Sequence, residues 1–235
     1  MCRPLGISSG SLTGSIGSSI VKLGNTTIIC GVRAELAKPR ADSPGRGYLI
    51  PNVDTSFLPY TNRNLNDFAD TLNSLLLNIL TGSDYIKLED LCIHDSRLVW
   101  VLYCDVICLE QDGCIIDGAV MACLAALKNL KLPNIIYDAA INKINISTER
   151  TKLQVKSFPI VSSYALLENF LLSDPTFEEE CLSSAVINIA ISNGKVRFIL
   201  KSGGKPITKK QLTSCLLQTI KREKEILKLL DNLIK

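Results

Sequence analysis

The sequence contains a single histidine, and this scarcity excludes several kinds of metal and catalytic site. His94, in "CIHDS", cannot supply the mixtures of histidine and cysteine that usually bind zinc, and no Cys-x-x-Cys pair occurs. Cys92 or Asp95 could pair with His94, but both are too near in sequence to make the arrangement distinctive. We therefore expect His94 to be a surface or cap-region residue rather than a catalytic base.

Phosphate-binding loops of the common nucleotide-binding types are also missing. Neither a Walker loop nor a Gly-x-Gly-x-x-Gly fingerprint occurs in the 235 residues. The glycines and lysines of residues 201–210, "KSGGKPITKK", precede the last predicted helix and could touch a phosphate backbone. A flexible entry loop to that helix is the interpretation that we favour.

Long apolar runs and a leader sequence are lacking as well. The longest apolar run, residues 98–109, is interrupted by Asp105 and is shorter than the ~20 residues that a membrane-spanning helix needs. No basic-then-apolar leader opens the sequence, so no secretory signal is predicted. Most of the nine cysteines, such as Cys104 and Cys108, lie within apolar runs, as buried free thiols do. We predict an intracellular, soluble protein with no membrane partner.

Apolar residues are abundant, at 46% against 21% charged residues, and they repeat with the periods of helices and strands. Helices are predicted over residues 66–81 and 116–131 and from about residue 209 to the end, where the apolar stripe comprises Leu212, Leu216, Ile220, Leu227, Leu230 and Ile234. Strands or hairpins are predicted over residues 19–36, 48–54, 98–110, 139–146, 153–158, 160–175 and 185–200. Strands followed by a helix occur twice, which predicts an α+β fold with helices packed on sheets.

Charge is unevenly distributed. Residues 201–235 hold nine basic and three acidic residues, a net +6, so the remainder of this +3 chain carries −3. A basic C-terminal segment of this kind could meet nucleic acid or an acidic partner. A solvated helix face is the plainer interpretation, and we favour it.

The stretch "CLEQDGCIIDGAVMACLAALKNL" reads as a strand end, a tight turn and a helix start, where backbones often bind anions. A phosphate pocket would need Gly, Ser or Thr for close approach and an arginine as a clamp. Instead, Cys114, Ile115 and Ile116 follow Gly113. Asp117 then occupies the predicted N-cap, where its carboxylate can accept from the first helical N–H groups and repel phosphate. The sequence therefore predicts a closed site.

The acidic run "SDPTFEEE" concentrates four carboxylates, those of Asp174, Glu178, Glu179 and Glu180. Such a cluster could hold magnesium. It could also simply favour the start of a helix, with Thr176 and Glu179 spaced as a capping box. We favour the second interpretation, because no second acidic cluster with suggestive spacing accompanies the first.

Five segments, in this order, carry a resemblance to a known family. They are "CRPLG", "VKLGNTTIICGVRAEL", the stretch from "EDLCIHDSRLVW" to "ALKNLKLP", "DPTFEEE", and "SGG" near the end. Together they resemble the ribonuclease PH-like subunits of the eukaryotic RNA exosome, and the non-catalytic ring subunits in particular. The similarity covers nearly the whole chain, although Leu5-Gly6-Ile7 stands where the family usually has Asp-Gly-Arg, so this segment is expected to be shortened.

The resemblance implies a ribonuclease PH-like fold, with two βαβ-type halves over residues 1–135 and 136–235 and helices packed on mixed sheets. It implies a hexameric ring of ribonuclease PH-like subunits, capped by RNA-binding subunits and threaded by RNA. It also implies a role in rRNA maturation and mRNA turnover, in the nucleus, nucleolus and cytoplasm. In relatives the loop before the first long helix carries arginines that line the RNA path. Arg63 is the one basic residue of "YTNRNLND", so the resemblance makes it the candidate RNA contact. A solvated loop arginine is an equally good interpretation.

Active relatives hold phosphate with Gly-Thr-Arg in the turn, where this chain has Cys114-Ile115-Ile116. They also place an aspartate about six residues after the acidic run, a count that reaches apolar Val186 here. The resemblance therefore implies no phosphorolytic activity, no catalytic residue, no metal and no cofactor or small-molecule substrate.

Two alternatives remain open from the sequence. An active phosphate-dependent 3′-5′ exoribonuclease would need an arginine from elsewhere, such as Arg63 or Arg97, to reach the phosphate. A binding protein that recognises RNA outside the exosome would use the basic C-terminal segment instead.

Overall fold

The computed structural model describes residues 3–55, 65–82, 85–138, 143–168 and 170–232. Within these ranges, twelve strands form three sheets, and four α-helices pack against them. One of the sheets contains both parallel and antiparallel pairs, so the predicted α+β class with mixed sheets is confirmed. No helix in the described ranges is long and apolar enough to cross a membrane.

The first sheet is six-stranded and has the order β1-β2-β3-β6-β4, with β5 paired to β6. Its strands are β1 (Leu5–Ser9), β2 (Gly17–Leu23), β3 (Thr26–Ala37), β4 (Tyr48–Asp54), β5 (Cys92–His94) and β6 (Leu98–Glu110). β4 runs parallel to β6, and the other pairs are antiparallel. The "LGNT" turn joins β2 to β3 as predicted, with Gly24 at a φ of 59°.

Two further sheets follow in the chain. A two-stranded sheet consists of β7 (Lys131–Asp138) and β8 (Lys143–Lys152). A four-stranded sheet has the order β10-β9-β11-β12, from β9 (Ile160–Leu167), β10 (Phe170–Ser173), β11 (Ala185–Ser192) and β12 (Lys195–Ser202). The helices are α1 (Leu65–Gly82), α2 (Ile115–Lys128), α3 (Phe177–Leu182) and α4 (Lys209–Asn232), with a short 3₁₀ turn over Leu88–Leu91.

Helix α2 lies at the centre of the core. Twelve of its fourteen residues are buried, and it contacts β1, β2, β3 and β6 of the first sheet, β9 of the four-stranded sheet, and α1. A helix that is apolar nearly all round is stable only when it is surrounded in this way. The predicted core cysteines Cys104 and Cys108 are buried on β6. The start of α2 is therefore held by elements from both ends of the chain.

Two local predictions are wrong. The second helix ends at Lys128 instead of residue 131, because Lys131 already begins β7, which contains Pro133. Residues 153–158, predicted as a strand, belong to none.

The predicted apolar stripe of α4 is confirmed in part. Leu230 is buried, and Leu212, Leu216 and Ile220 pack half-buried against the core. The buried face also includes Cys215, Thr219, Glu223 and Ile226, and polar groups on this face have internal partners. Tyr164 Oη lies 2.8 Å from Thr219 Oγ1, and the Gly194 N–H donates to Glu223 at 3.1 Å.

Candidate functional site

The turn between β6 and α2 packs tightly against the acidic segment. Gly113 has a φ of 80°, and a Cβ atom there would lie 2.3 Å from the Pro175 carbonyl oxygen. Cys114 follows with a φ of 53° and occupies the N-cap position. Thr26 holds the other side of the turn: its Oγ1 donates to the Gly113 carbonyl and accepts from the Asp112 N–H, each at 2.9 Å. Only glycine fits at Gly113, because φ is positive and backbone lies directly beside it.

The helix start carries a carboxylate of this chain. The Cys114 N–H donates to Glu180 Oε1 at 2.8 Å, and the Cys114 thiol donates to the Pro175 carbonyl at 3.3 Å. Burial raises the pKa of the Cys114 thiol, and the nearby carboxylates raise it further, so this cysteine is not a thiolate nucleophile. The turn therefore holds a carboxylate of this chain, but that carboxylate belongs to Glu180 and not to the predicted Asp117.

Asp117 is not the N-cap, and that prediction is wrong. The helix begins two residues earlier, so Asp117 is its third residue and points towards β9. Its buried carboxylate accepts from the Ser163 N–H at 3.0 Å and from Ser163 Oγ at 2.6 Å, and Asn188 Nδ2 donates to that hydroxyl at 2.7 Å. Burial raises the pKa of Asp117, although Arg222 and the Ser163 hydrogen bonds oppose the shift. Asp117 therefore ties α2 to the four-stranded sheet.

Arg3 and Asp174 form a second charged contact beside the turn. The Arg3 N–H, Nε and Nη2 donate to the Asp174 carboxylate at 2.6, 3.2 and 2.8 Å. Arg3 Nη1 also donates to the Asp112 carbonyl, and Arg222 Nη1 lies 4.0 Å from Asp174. Burial alone would raise the pKa of Asp174, but the Arg3 hydrogen bonds and the Arg222 charge bring it below its ordinary value. Asp174 is therefore an ion-paired structural carboxylate.

The acidic run is divided among separate contacts. Thr176 Oγ1 accepts from the Glu179 N–H at 3.4 Å and Glu179 accepts from the Thr176 N–H at 2.8 Å, so the predicted capping box is confirmed. Glu178 is exposed. Within the described ranges, no group of three or more His, Cys, Asp or Glu side chains is arranged to hold a metal ion. The segment thus uses its carboxylates for capping and ion pairing.

The remaining predicted positions lie elsewhere. Arg63 falls in residues 56–64, outside the described residues. Arg97 precedes β6, whose 13 residues extend about 40 Å towards the turn at about 3.3 Å per residue, so Arg97 cannot reach Gly113. His94 is exposed, as expected, with Nδ1 3.0 Å from the Asp95 carbonyl. Val186 lies in β11, paired with Ala165 and Ser202.

Arg3 and Arg222 were missed by the sequence reasoning. Arg3 lies 171 residues from Asp174 in the sequence, so no local spacing pattern predicts that their side chains pair. A cleft of about 520 Å³ opens on the side of this ion pair that faces α4. It is lined by Arg3, Leu5, Ser162, Ser163, Tyr164, Ser173, Gln218, Lys221, Arg222, Glu225, Ile226 and Leu229.

The fold is a ribonuclease PH-like α+β fold with mixed sheets and helices. Sequence comparison agrees: the profile of the 3′ exoribonuclease family, domain 1, matches residues 1–133, and that of domain 2 matches residues 157–222. The chain belongs to the 3′ exoribonuclease family.

Individual relatives resemble the chain over most of their length. It is 33% identical over 223 residues to the exosome complex component rrp43 of Schizosaccharomyces pombe, covering 91% of this chain and 81% of that protein. It is 28% identical to the exosome complex component Rrp42 of Pyrococcus furiosus, covering 98% and 84%. A chain of a solved archaeal exosome core superposes with a TM-score of 0.83 at 26% identity, covering 96% of this chain and 85% of that chain.

Proposed function

We propose that this chain is a catalytically inactive ring subunit of an RNA exosome. In this role it supports 3′-to-5′ RNA processing and decay, including rRNA maturation and mRNA turnover, without cleaving RNA itself. Its proposed partners are ribonuclease PH-like ring subunits, RNA-binding cap subunits and RNA, in the nucleus, nucleolus and cytoplasm. Two relatives that match nearly the whole chain are themselves exosome components, which supports this assignment.

One observation carries the proposed inactivity: the helix start that would receive an anion already holds Glu180 Oε1, 2.8 Å from the Cys114 N–H. A phosphate entering this position would meet a carboxylate and would find Ile115 and Ile116 in place of a clamping side chain. Arg3, the nearest described arginine, already donates to Asp174 and Asp112. Like charges at short range repel, so the site disfavours phosphate.

Two finer statements belong to the same proposal. We retain Arg63 as an RNA contact, and its replacement by glutamine should weaken RNA binding modestly and only in the assembled ring. The division into halves at residues 1–135 and 136–235 also remains a prediction. Expressing each half separately and measuring its unfolding transition tests that division.

Assembly and phosphorolysis can be measured on one set of preparations. The tagged chain is co-expressed with ribonuclease PH-like and cap subunits, and the purified material is weighed by native mass spectrometry. The isolated chain and the assembly are then incubated with RNA and inorganic phosphate, and release of nucleoside diphosphates is followed. We expect stoichiometric assembly and no release by the isolated chain. Release that disappears in Asp174→Asn or Glu180→Gln would overturn the proposal.

An active phosphate-dependent 3′-5′ exoribonuclease is the second candidate. A single observation favours it: Arg3 lies beside Gly113, because its Nη1 donates to the Asp112 carbonyl. For Arg3 to clamp phosphate, it would have to leave a carboxylate that is almost fully buried. Such an enzyme would lose its phosphorolytic rate on Arg3→Gln, whereas our proposal predicts no rate in either form.

A further inference from the structure

Helix α4 presents a straight row of basic residues to solvent. Lys210, Lys221, Lys224 and Lys228 recur at helical spacing together with Ser214 and Leu217, and all six are exposed. From the first lysine to the last, the row extends about 27 Å at about 1.5 Å per residue. We call these four lysines the α4 lysine row.

The row faces away from the body of the protein. At about 100° per residue, its centre lies about 180° around the helix from the buried face defined by Cys215, Ile226 and Leu230. Leu217, in the middle of the row, has 64% of its surface exposed. The face is therefore open along its whole length in this chain.

In the part of the chain that the structure describes, no acidic side chain forms an ion pair with the row. Glu223 is buried and accepts from the Gly194 N–H. Glu225 is exposed four residues after Lys221, and these two residues line the neighbouring cleft. Within the described residues, no carboxylate oxygen lies within 4.0 Å of any of the four lysine ammonium groups.

The loop that leads into the helix extends the same sign of charge. Lys201 Nζ donates to the Gly203 carbonyl at 2.6 Å, and Lys205 Nζ donates to the Glu168 carbonyl. Because the Gly203 acceptor is a neutral carbonyl, this contact does not neutralise the charge of Lys201. Lys209 is exposed beside them at the start of α4. The basic surface therefore continues beyond the helix.

We propose that the α4 lysine row is a docking surface for single-stranded RNA, through its phosphates, separate from the turn at the start of α2. A linear set of unpaired ammonium groups complements a linear polyanion, and lysine contacts to phosphate carry no sequence information. Binding is therefore sequence-independent and salt-sensitive. RNA is the polyanion that the proposed exosome subunit meets, so the choice of ligand rests on the proposed function.

The test compares two variants of equal charge. In the row variant, Lys210, Lys221, Lys224 and Lys228 become glutamine; in the control variant, the exposed lysines Lys22, Lys38, Lys87 and Lys152 become glutamine. Fluorescence anisotropy with labelled oligouridine measures affinity across a salt series, for the full chain and for the reconstituted assembly. We expect the row variant to lose at least about tenfold in affinity, and its log–log salt slope to fall by about three, since each phosphate contact contributes about 0.7. The control should keep affinity and slope close to those of the unmodified chain.

Each other outcome counts against the proposal. Equal losses in both variants would mean that net charge alone attracts RNA. An unchanged row variant, or one that loses only polyglutamate binding, would assign the row to solvent or to an acidic protein partner. Native mass spectrometry of the same preparations separates this result from failure of the proposed function: if the unmodified chain does not assemble, the ring assignment fails whatever the RNA titration gives.

Discussion

Charged side chains are paired at the start of α2 and unpaired on the outer face of α4. At the start of α2, carboxylates and arginines from distant parts of the chain meet one another, as Arg3 meets Asp174. On the outer face of α4, four lysines are exposed and form no ion pair within the described residues. Removing one partner of a buried ion pair leaves an uncompensated charge and destabilises the chain, whereas unpaired charges of one sign on the surface remain available to a partner. Changes at the first region should therefore alter stability, and changes at the second should alter binding.

Gly113→Ala should give the largest effect. The new Cβ would stand 2.3 Å from the Pro175 carbonyl oxygen, and alanine is strained at a φ of 80°. Backbone on both sides has little room to move, so we expect a loss of about 4 kcal/mol in the free energy of unfolding. Urea denaturation followed by circular dichroism measures it.

Gly194→Ala is the matched control, because Gly194 also has a positive φ, 69°, but no atom lies within 4 Å of the position that an added Cβ would take. It should cost only about 1–2 kcal/mol, from conformational strain alone. Equal losses at both glycines would show that the acidic segment does not press on the turn.

Asp174→Asn should cost about 3 kcal/mol at neutral pH, because it leaves the largely buried Arg3 without its carboxylate. The pKa of Asp174 in the folded chain is below its ordinary value of 3.8. Its stabilisation is therefore fully present above that value and is lost as the pH falls through the folded pKa. The difference in unfolding free energy between the two forms should be constant near neutral pH and should shrink as the pH falls below about 3.8 and through the folded pKa. A pH-independent difference would contradict this.

Asp117→Asn tests the opposite case, because burial raises the pKa of Asp117 whereas the pKa of Asp174 is lowered. The folded chain holds the Asp117 proton more tightly than the unfolded chain, so ionised Asp117 is a cost at neutral pH that falls as the pH drops. Asparagine keeps an acceptor for the Ser163 N–H. We expect the change to cost less than about 1 kcal/mol in urea denaturation, well under Asp174→Asn. A loss as large as that of Asp174→Asn would show that the charge of Asp117 is itself needed.

Glu180→Ala should cost about 1–2 kcal/mol, since the Cys114 N–H loses a charged acceptor. It should also open the helix start to an added anion. Inorganic phosphate should then raise the thermal midpoint of Glu180→Ala more than that of the unmodified chain. Glu180→Gln, which keeps a neutral acceptor, is the control. An equal response of all three proteins to phosphate would mean that Glu180 does not occupy an anion position.

Local patterns predicted much of this fold. The capping box of Thr176 and Glu179, strand β6 and the turn at Gly24 all depend on neighbouring residues, and all three are confirmed. The errors at the candidate site concern contacts between distant segments. Asp117 looked like a cap because its partner Ser163 lies 46 residues away, and Arg3 and Asp174 are 171 residues apart. Spacing along a chain cannot predict such pairs. The lack of a phosphate-binding threonine or arginine after Gly113, in contrast, can be read directly from the sequence.

The smallest stability effect should come from replacing all four lysines of the α4 lysine row by glutamine. Each side chain is exposed, none has a carboxylate partner in the described residues, and glutamine is nearly as good a helix former as lysine. We expect the free energy of unfolding to change by less than about 0.5 kcal/mol, by urea denaturation in the same buffer as the RNA titration. A larger loss would show that these lysines stabilise the fold, as Arg3 does. An unchanged stability beside weakened RNA binding would separate the two regions completely, because the helix would then fold without the charges that it presents.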